Sequence, residues 1–509
     1  MRFARNLVLA AISGWTINLA FPTLGWWPAA PLGLAILWWS LEGVKPWPAA
    51  VLGLASGLGF FLPHIFWARA AVGVVPWVAL SVLESLAIAL VAAVWAHVRM
   101  SKMLRRAVPL EPVVFAALWV AGEQLRSVIP WGGFPWGRLA FSQVDMPVAR
   151  FAWLGGAVLV SFVVALVGGC LGLAFEAMRG KRVLLPAVAG AAGSVLLLAG
   201  IFIPVDARAE SGTLRLGVAQ GDVPNRGLDS FSERRLVTVN HAEASYAILQ
   251  EVPWPLDLMV WPENAADLDP RTDTATSLIL TDVAVAAGAP VLVGSIENVE
   301  GGRLNISILW SPEGTVLDTY VKQHPAPFAE YIPMRGFARL FSDAVDRVNR
   351  DMLPGTEVGV VTLPSARLGR DVVVGDVICF EVAYDGIVRD SVRAGAELLV
   401  VQTNNASFGL TAESEQQLAM TRLRAIETGR STVQSSTVGV SAIVAPDGRV
   451  LAKTGLFTQE WMSAEVPLRT SLTPASRHGS LVDLAFLVLP WLWLGIRWLL
   501  SLRGRWEWK

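Results

Sequence analysis

The sequence predicts a polytopic α-helical membrane domain of about eight spans joined to a soluble α/β domain. Three observations carry this expectation. Of the 509 residues 53% are hydrophobic and only 16% are charged, and there are 22 tryptophans, the composition of a membrane protein. The apolar residues are segregated: runs of membrane-spanning length fill the chain to about Val205, and one more lies near the end. From Thr213 to about Arg469, apolar strands alternate with helical stretches, as in a sheet covered by helices on both faces. The boundaries fall at 1–210, 211–472 and 473–509. The formal net charge of −1 gives no support to a nucleic-acid partner.

A span needs roughly 17–25 apolar residues. Seven are expected before the soluble domain, at about 6–23, 28–43, 49–71, 76–98, 110–126, 149–176 and 184–204, and an eighth at Leu484 to Leu502. If they alternate, five basic groups share one side: Arg2 with Arg5; Lys45; Arg99-Lys102-Arg105-Arg106; Arg179-Lys181-Arg182; and Arg503-Arg505-Lys509. Basic loops stay cytoplasmic, so the soluble domain is expected outside, on a multi-pass protein. The first run has no convincing cleavage site and is read as a retained helix.

The loop Arg126 to Arg150, on the same outer side, contains Trp131-Gly132-Gly133-Phe134-Pro135-Trp136-Gly137-Arg138. Rings such as Trp136 suit a membrane–water interface, and the Arg138 guanidinium suits a phosphate. An interfacial belt and a lipid-binding site are both open readings. His64, Glu84 and Glu123 are ionisable groups in or near spans, where they are costly.

In the soluble region strands are expected at Leu214 to Gln220, Leu256 to Trp261, Val291 to Ile296, Val372 to Phe380 and Leu398 to Gln402. Helices are expected at about 230–249, 274–287, 384–394 and 413–429. Ser441 to Pro446, Asp447-Gly448 and Val450 read as a closing hairpin.

Cys379 carries the chemistry. It ends the apolar run of Val374-Gly375-Asp376-Val377-Ile378, and the only other cysteine, Cys170, lies in a hydrophobic segment. A thiol is a useful nucleophile only as thiolate, which needs a base and a cation. Glu263 suits the base and Lys322 suits stabilisation of an oxyanion. Glu330, Glu381 and Asn404 are candidates to hold the lysine or the substrate. Singly, each has an ordinary reading: a solvated turn glutamate, a surface lysine, a small core cysteine. Placed in order on strand ends they make a candidate site. The five histidines have no metal-ligand spacing, so neither a metal nor another cofactor is expected.

The ordered set Glu263, Lys322, Cys379 resembles the Glu-Lys-Cys triad of the nitrilase (carbon–nitrogen hydrolase) superfamily. Seven spans, such a domain and a closing span resemble the apolipoprotein N-acyltransferase family over nearly the whole chain. The motifs that carry the resemblance are Val218-Ala219-Gln220-Gly221-Asp222-Val223-Pro224, Trp261-Pro262-Glu263, Lys322 through Pro333, Ile378-Cys379-Phe380-Glu381 and Asn404-Asn405-Ala406-Ser407-Phe408-Gly409. The resemblance implies a nitrilase-like α-β-β-α sandwich and a bacterial inner-membrane enzyme with its catalytic domain on the extracytoplasmic side. It implies acyl transfer from a membrane phospholipid, through a Cys379 thioester, to the N-terminal amine of a diacylglyceryl-modified apolipoprotein. Glu330 is then the supporting second glutamate.

Two departures stand out. Phe380 replaces a tyrosine often found after the nucleophile, which removes a hydroxyl. The segment Pro224 to Leu228 lacks a tryptophan that some members carry. Two other function classes remain: a membrane-tethered amidase acting on a soluble amide, and a non-enzymatic membrane assembly protein. Eight spans exceed what a tether needs, and an intact triad argues against the third. A monomer is expected.

Overall fold

Strand alternation builds the α/β region and places its two cores. The computed structural model describes residues 1–101, 108–179, 184–223, 235–341 and 343–506. Lys102, Arg105, Arg106, Lys181, Arg182, Lys509, Pro224 to Leu228 and the start of the helix expected from residue 230 lie outside the described residues, as do the side chains of Arg179, Arg503 and Arg505.

In chain order the strands are β1 (Thr213–Gln220), β2 (Leu258–Val260), β3 (Val291–Val299), β4 (Gly302–Trp310), β5 (Val316–Val321), β6 (Val360–Ser365), β7 (Arg370–Ile378), β8 (Leu398–Thr403), β9 (Ser431–Ser436), β10 (Ala442–Val444), β11 (Val450–Lys453) and β12 (Glu460–Pro467). They form two six-stranded sheets, ordered β12-β1-β2-β3-β4-β5 and β11-β10-β9-β8-β7-β6. Each has a parallel centre, β1-β2-β3 in one and β7-β8-β9 in the other, flanked by antiparallel strands. Parallel strands need crossovers, and helices Leu236–Glu251, Thr274–Ala287, Asp385–Arg393 and Glu413–Thr428 supply them.

Side chains alternate along each strand. Leu258, Val260 and Leu292 point between the sheets, where they meet Val374, Ile378, Leu398, Val400 and Val433 in one buried core. Their neighbours Met259, Trp261, Val291 and Val293 point the other way, into a second core with Ile248, Leu280, Val283 and Ala284 of the covering helices. This is the expected α-β-β-α sandwich. The expected hairpin is β10-β11, whereas β4, β5, β6, β9 and β12 extend the sheets beyond the expected strands.

The chain divides into two compact units, residues 1–65, 78–203 and 478–509 in one, and 66–77 with 204–477 in the other. The first is helical: Arg2–Asn18, Ala29–Ser40, Pro46–His64, most of Val74–Arg99, Glu111–Arg126, Ala152–Arg179, Leu184–Ala199 and most of Pro474–Trp506 each overlap a stretch where a span is expected. Four stretches among the described residues are long and apolar enough to cross a membrane, Pro46–His64, Val74–Arg99, Pro147–Met178 and Pro474–Arg497; Ala29–Ser40 and Gly190–Phe202 are shorter apolar helices. Close packing rests on small residues. A Cβ on Gly53 would meet Ala92 at 2.6 Å, and one on Gly57 would meet Ser85 Cα at 2.7 Å, so Pro46–His64 and Val74–Arg99 touch backbone to backbone.

One expected span is corrected. The run 49–71 is not a single helix: it ends at His64, and Trp67–Val72 is a separate short helix of the α/β unit. Trp67 explains the break. Its indole N–H donates to Gln416 at 3.1 Å and its ring meets Phe408 edge-on at 5.1 Å, partners a lipid-facing tryptophan would lack.

The acids of the helical unit have internal partners. Arg126 pairs with Glu84 at 3.2 Å and donates to the carbonyls of Phe134 and Trp136 at 2.8 and 2.7 Å. Glu123 accepts from the Trp119 indole and the Leu139 amide, each at 3.0 Å. His64 lies between the rings of Phe21 and Phe60.

Candidate active site

Glu263 follows β2 across Trp261-Pro262, at the carboxyl edge of the parallel strands, where sites of α/β sheets form. Asn264 beside it has φ +56°. Its loop passes so close over β3 that a Cβ on Gly294 would sit 2.6 Å from Glu263 Cα and 2.7 Å from both Asn264 N and Pro262 O. The buried Glu263 carboxylate accepts from Asn305 Nδ2 at 2.6 Å and, on its other oxygen, from the Asn404 amide at 2.8 Å.

Lys322 follows β5 directly and is 1% exposed. Its Nζ donates to Glu330 at 2.9 Å and to Glu263 at 3.4 Å. Glu330 also accepts from Asn305 Nδ2 at 3.1 Å and from the Ala326 amide at 2.6 Å. Asn305 thus bridges the two glutamates with one amide, and its own carbonyl accepts from the Lys322 amide at 2.9 Å.

Cys379 follows β7 in the left-handed region, φ +55°, an uncommon conformation for a residue with a side chain. Such strain clusters at functional sites. The kink ends the ladder and turns the half-buried sulfur out of the strand line, at the start of the 3-10 turn Cys379–Ala383. The charges of Glu263 and Lys322 act on the sulfur from the ends of β2 and β5, and the Thr403 hydroxyl approaches Sγ at 3.3 Å.

Burial dominates the electrostatics. It pushes Cys379 up, helped by the charge on Glu263 and opposed by Lys322, so the resting sulfur is a thiol. Burial also raises Glu263, with Lys322 pulling back and Glu330 pushing further, which makes it a stronger base than an ordinary glutamate. For Lys322 burial alone would lower the value, but Glu330 and Glu263 overcome it and hold the ammonium charged. A protonated thiol, an adjacent basic carboxylate and a fixed cation are the parts that nucleophilic attack on an acyl carbonyl needs.

With this geometry in place, the comparisons with known proteins are specific. The apolipoprotein N-acyltransferase N-terminal domain matches residues 13–170, and the carbon–nitrogen hydrolase domain matches residues 226–472. An apolipoprotein N-acyltransferase of Mycolicibacterium smegmatis is 35% identical over 94% of this chain and 83% of its own. The chain belongs to the apolipoprotein N-acyltransferase family. A member from Geobacter metallireducens is 29% identical over 93% of this chain and 92% of its own. Among solved structures, an amidase from Nesterenkonia sp. aligns with 52% of this chain and 95% of its own, at 17% identity and TM-score 0.37.

Within this family member Glu263, Lys322, Cys379 and Glu330 converge, together with the Asn404 backbone. The Asn404 side chain instead accepts from the Ala406 amide at 3.2 Å and shapes the turn. Glu381 is fully buried and braces two loops: it accepts from Ile378 N at 2.8 Å, Gln323 N at 2.7 Å, His324 N at 3.0 Å and the Tyr320 hydroxyl at 3.0 Å. Burial raises its carboxyl to about 7. Phe380 packs edge-on against Tyr384 at 5.4 Å. Trp136 and Arg138 belong to the helical unit, each 1% exposed, and Arg138 donates to Gln124.

The sequence reading missed Asn305, Thr403 and Gln417. Asn305 had a signal: an amide inside the apolar strand Leu304-Asn305-Ile306 is costly unless it is hydrogen-bonded.

Proposed function

We propose that this chain transfers an acyl group from a membrane phospholipid to the N-terminal amine of a diacylglyceryl-modified apolipoprotein, through a thioester on Cys379. The observation that supports it most is the meeting of Glu263 and Lys322 at a strained Cys379, in a chain whose other half is apolar helices.

In the first half-reaction Glu263 takes the thiol proton as Sγ bonds to the ester carbonyl carbon. The Lys322 ammonium stabilises the oxyanion. Collapse breaks the ester C–O bond, and the lysophospholipid leaves with the proton from Glu263. In the second, the acceptor amine attacks the thioester and Glu263 takes a proton from nitrogen. Collapse forms the amide and expels the sulfur, which regains that proton. The ammonium stays charged throughout, so it serves as electrophile and not as acid. Eight spans, with the catalytic domain on the outer face of the bacterial inner membrane, would let both lipid substrates arrive without leaving the bilayer.

The test is trapping of the acyl-enzyme. Purified protein and its Cys379→Ser variant are incubated with phospholipid carrying a labelled acyl chain, without acceptor. Label on the wild type alone, released by neutral hydroxylamine, is expected. No label on either protein would overturn the donor or the nucleophile and return the amidase reading.

A further inference from the structure

We infer that the Thr403 hydroxyl is a further catalytic group, donating to Cys379 Sγ while the sulfur is charged and to Gln417 while it is not. The inference rests on Cys379 being the nucleophile. Thr403 ends β8, the parallel neighbour of β7, so the two strand ends lie side by side. Its Oγ1 lies 3.3 Å from Sγ and 3.0 Å from Gln417 Oε1, and a hydroxyl has one proton for these two acceptors.

The rest of the network holds both acceptors within reach. Asn405 Nδ2 donates to Gln417 Oε1 at 3.0 Å, to Glu413 Oε2 at 2.6 Å and, more weakly, to Thr403 Oγ1 at 3.4 Å. Asn405 Oδ1 accepts from the Ser436 hydroxyl at 2.5 Å. Thr403 and Gln417 are wholly buried. Packing alone at this strand end would be served by valine, which has the same shape and no hydroxyl.

The charges around Sγ show why a neutral donor is useful. Glu263 from the β2 end, Glu413 from its helix and Lys322 from the β5 end face the sulfur; Glu330 and His324 flank Lys322, and Glu381 lies in the same turn as Cys379. The acids disfavour a thiolate, and Lys322 is shared with two of them. A hydroxyl turned toward sulfur stabilises the thiolate without offering a proton in competition with Glu263. No bond to Thr403 forms or breaks. The thiol proton goes to Glu263, the hydroxyl hydrogen rotates from Gln417 to Sγ, and it returns once the sulfur is acylated and a poor acceptor.

The experiment uses the full-length protein in detergent. The rate of alkylation by iodoacetamide is followed against pH on the Cys379 peptide by mass spectrometry, which separates it from Cys170. Thr403→Val is expected to move the midpoint up by about one pH unit, the worth of one charge-assisted hydrogen bond, and to slow acyl-enzyme formation about tenfold. Thr403→Ser is expected to restore both. Gln417→Met, which removes the competing acceptor, is expected to move the midpoint down, a direction that disrupted packing would not produce. An unmoved midpoint in Thr403→Val, an equal upward shift in Thr403→Ser, or an upward shift in Gln417→Met would overturn the inference. Failure of the underlying reading looks different: Cys379→Ser would still transfer acyl chains.

Discussion

Gly294→Ala tests whether Glu263 acts through its position. Gly294 has an ordinary backbone conformation, so alanine meets no torsional penalty there, and the effect is one of space. The new methyl would lie 2.6 Å from Glu263 Cα and 2.7 Å from Asn264 N and Pro262 O. All three are backbone atoms, and ordinary contacts need about 3.5–4.0 Å, so the loop must retreat by about 1 Å. Overpacking of this kind costs about 1–3 kcal/mol of stability, which leaves the fold intact. The catalytic effect is larger in proportion. A misplacement of about 1 Å can cost about 100-fold when proton transfer needs hydrogen-bond contact. The assay is single-turnover acyl-enzyme formation with labelled phospholipid, with thermal unfolding alongside. Gly386→Ala is the control, because a Cβ there meets nothing within 4 Å. A wild-type rate in Gly294→Ala would refute the reasoning, since the base would then tolerate a displaced loop.

Glu330→Gln keeps the shape and removes the charge. The amide cannot accept from Ala326 on one side and from Lys322 and Asn305 on the other, so about 1.5–3 kcal/mol is lost, and a fall of about 10- to 100-fold in acyl-enzyme formation is expected. The pH profile of acylation should show an acid limb from Glu263. The base must be ionised and its folded value is raised, so activity is lost as pH falls through a midpoint above the ordinary glutamate value of about 4.3. Glu330→Gln should move that limb to lower pH, because it removes a neighbouring negative charge. Burial raises Glu413 to about 8. Folding therefore takes up a proton between the ordinary glutamate value and 8, and stability declines as pH rises through that window; Glu413→Gln should flatten this decline in thermal melts. Arg424→Met should cost about 1–3 kcal/mol in denaturant unfolding, because it removes one of the two arginines on the buried Glu427, its partner at 2.5 Å, leaving Arg389 at 2.8 Å, and frees the carbonyls of Val382 and Ala383.

How much of this was legible depends on whether a residue acts through its own strand or through a neighbour's register. Cys379, Glu263 and Lys322 stand where apolar runs break off, and that break is visible in the chain. Asn305 acts because β4 pairs with β5 in the register that sets it beside Lys322, and no local pattern encodes that pairing. The strands β4 and β12 carry Asn305, Ser307, Ser463 and Glu465 among their apolar residues, so neither alternation nor a continuous run marked them. The run 49–71 was misread for a related reason. Hydropathy records that Trp67 is apolar, but not that its partner is Gln416, far along the chain.

The triad is divided between the sheets, which changes what holds it together. Glu263 and Lys322 come from the first sheet and Cys379 from the second, so no local element fixes their separation. The ties that fix it cross between the sheets. Gln402 donates to the Trp261 carbonyl at 2.6 Å, Thr437 to the Glu263 carbonyl at 3.1 Å, and the Asn404 amide to the Glu263 carboxylate at 2.8 Å. In the other direction Glu381, beside the nucleophile, accepts from the amides that follow Lys322. Each tie is a buried or part-buried hydrogen bond whose loss leaves a polar group unsatisfied, so the two halves cannot slide without a cost at several places at once. The site is thus organised by polar contacts at one edge of an apolar inter-sheet core: the core sets how close the sheets lie, and the edge contacts set the reach of base and lysine to sulfur.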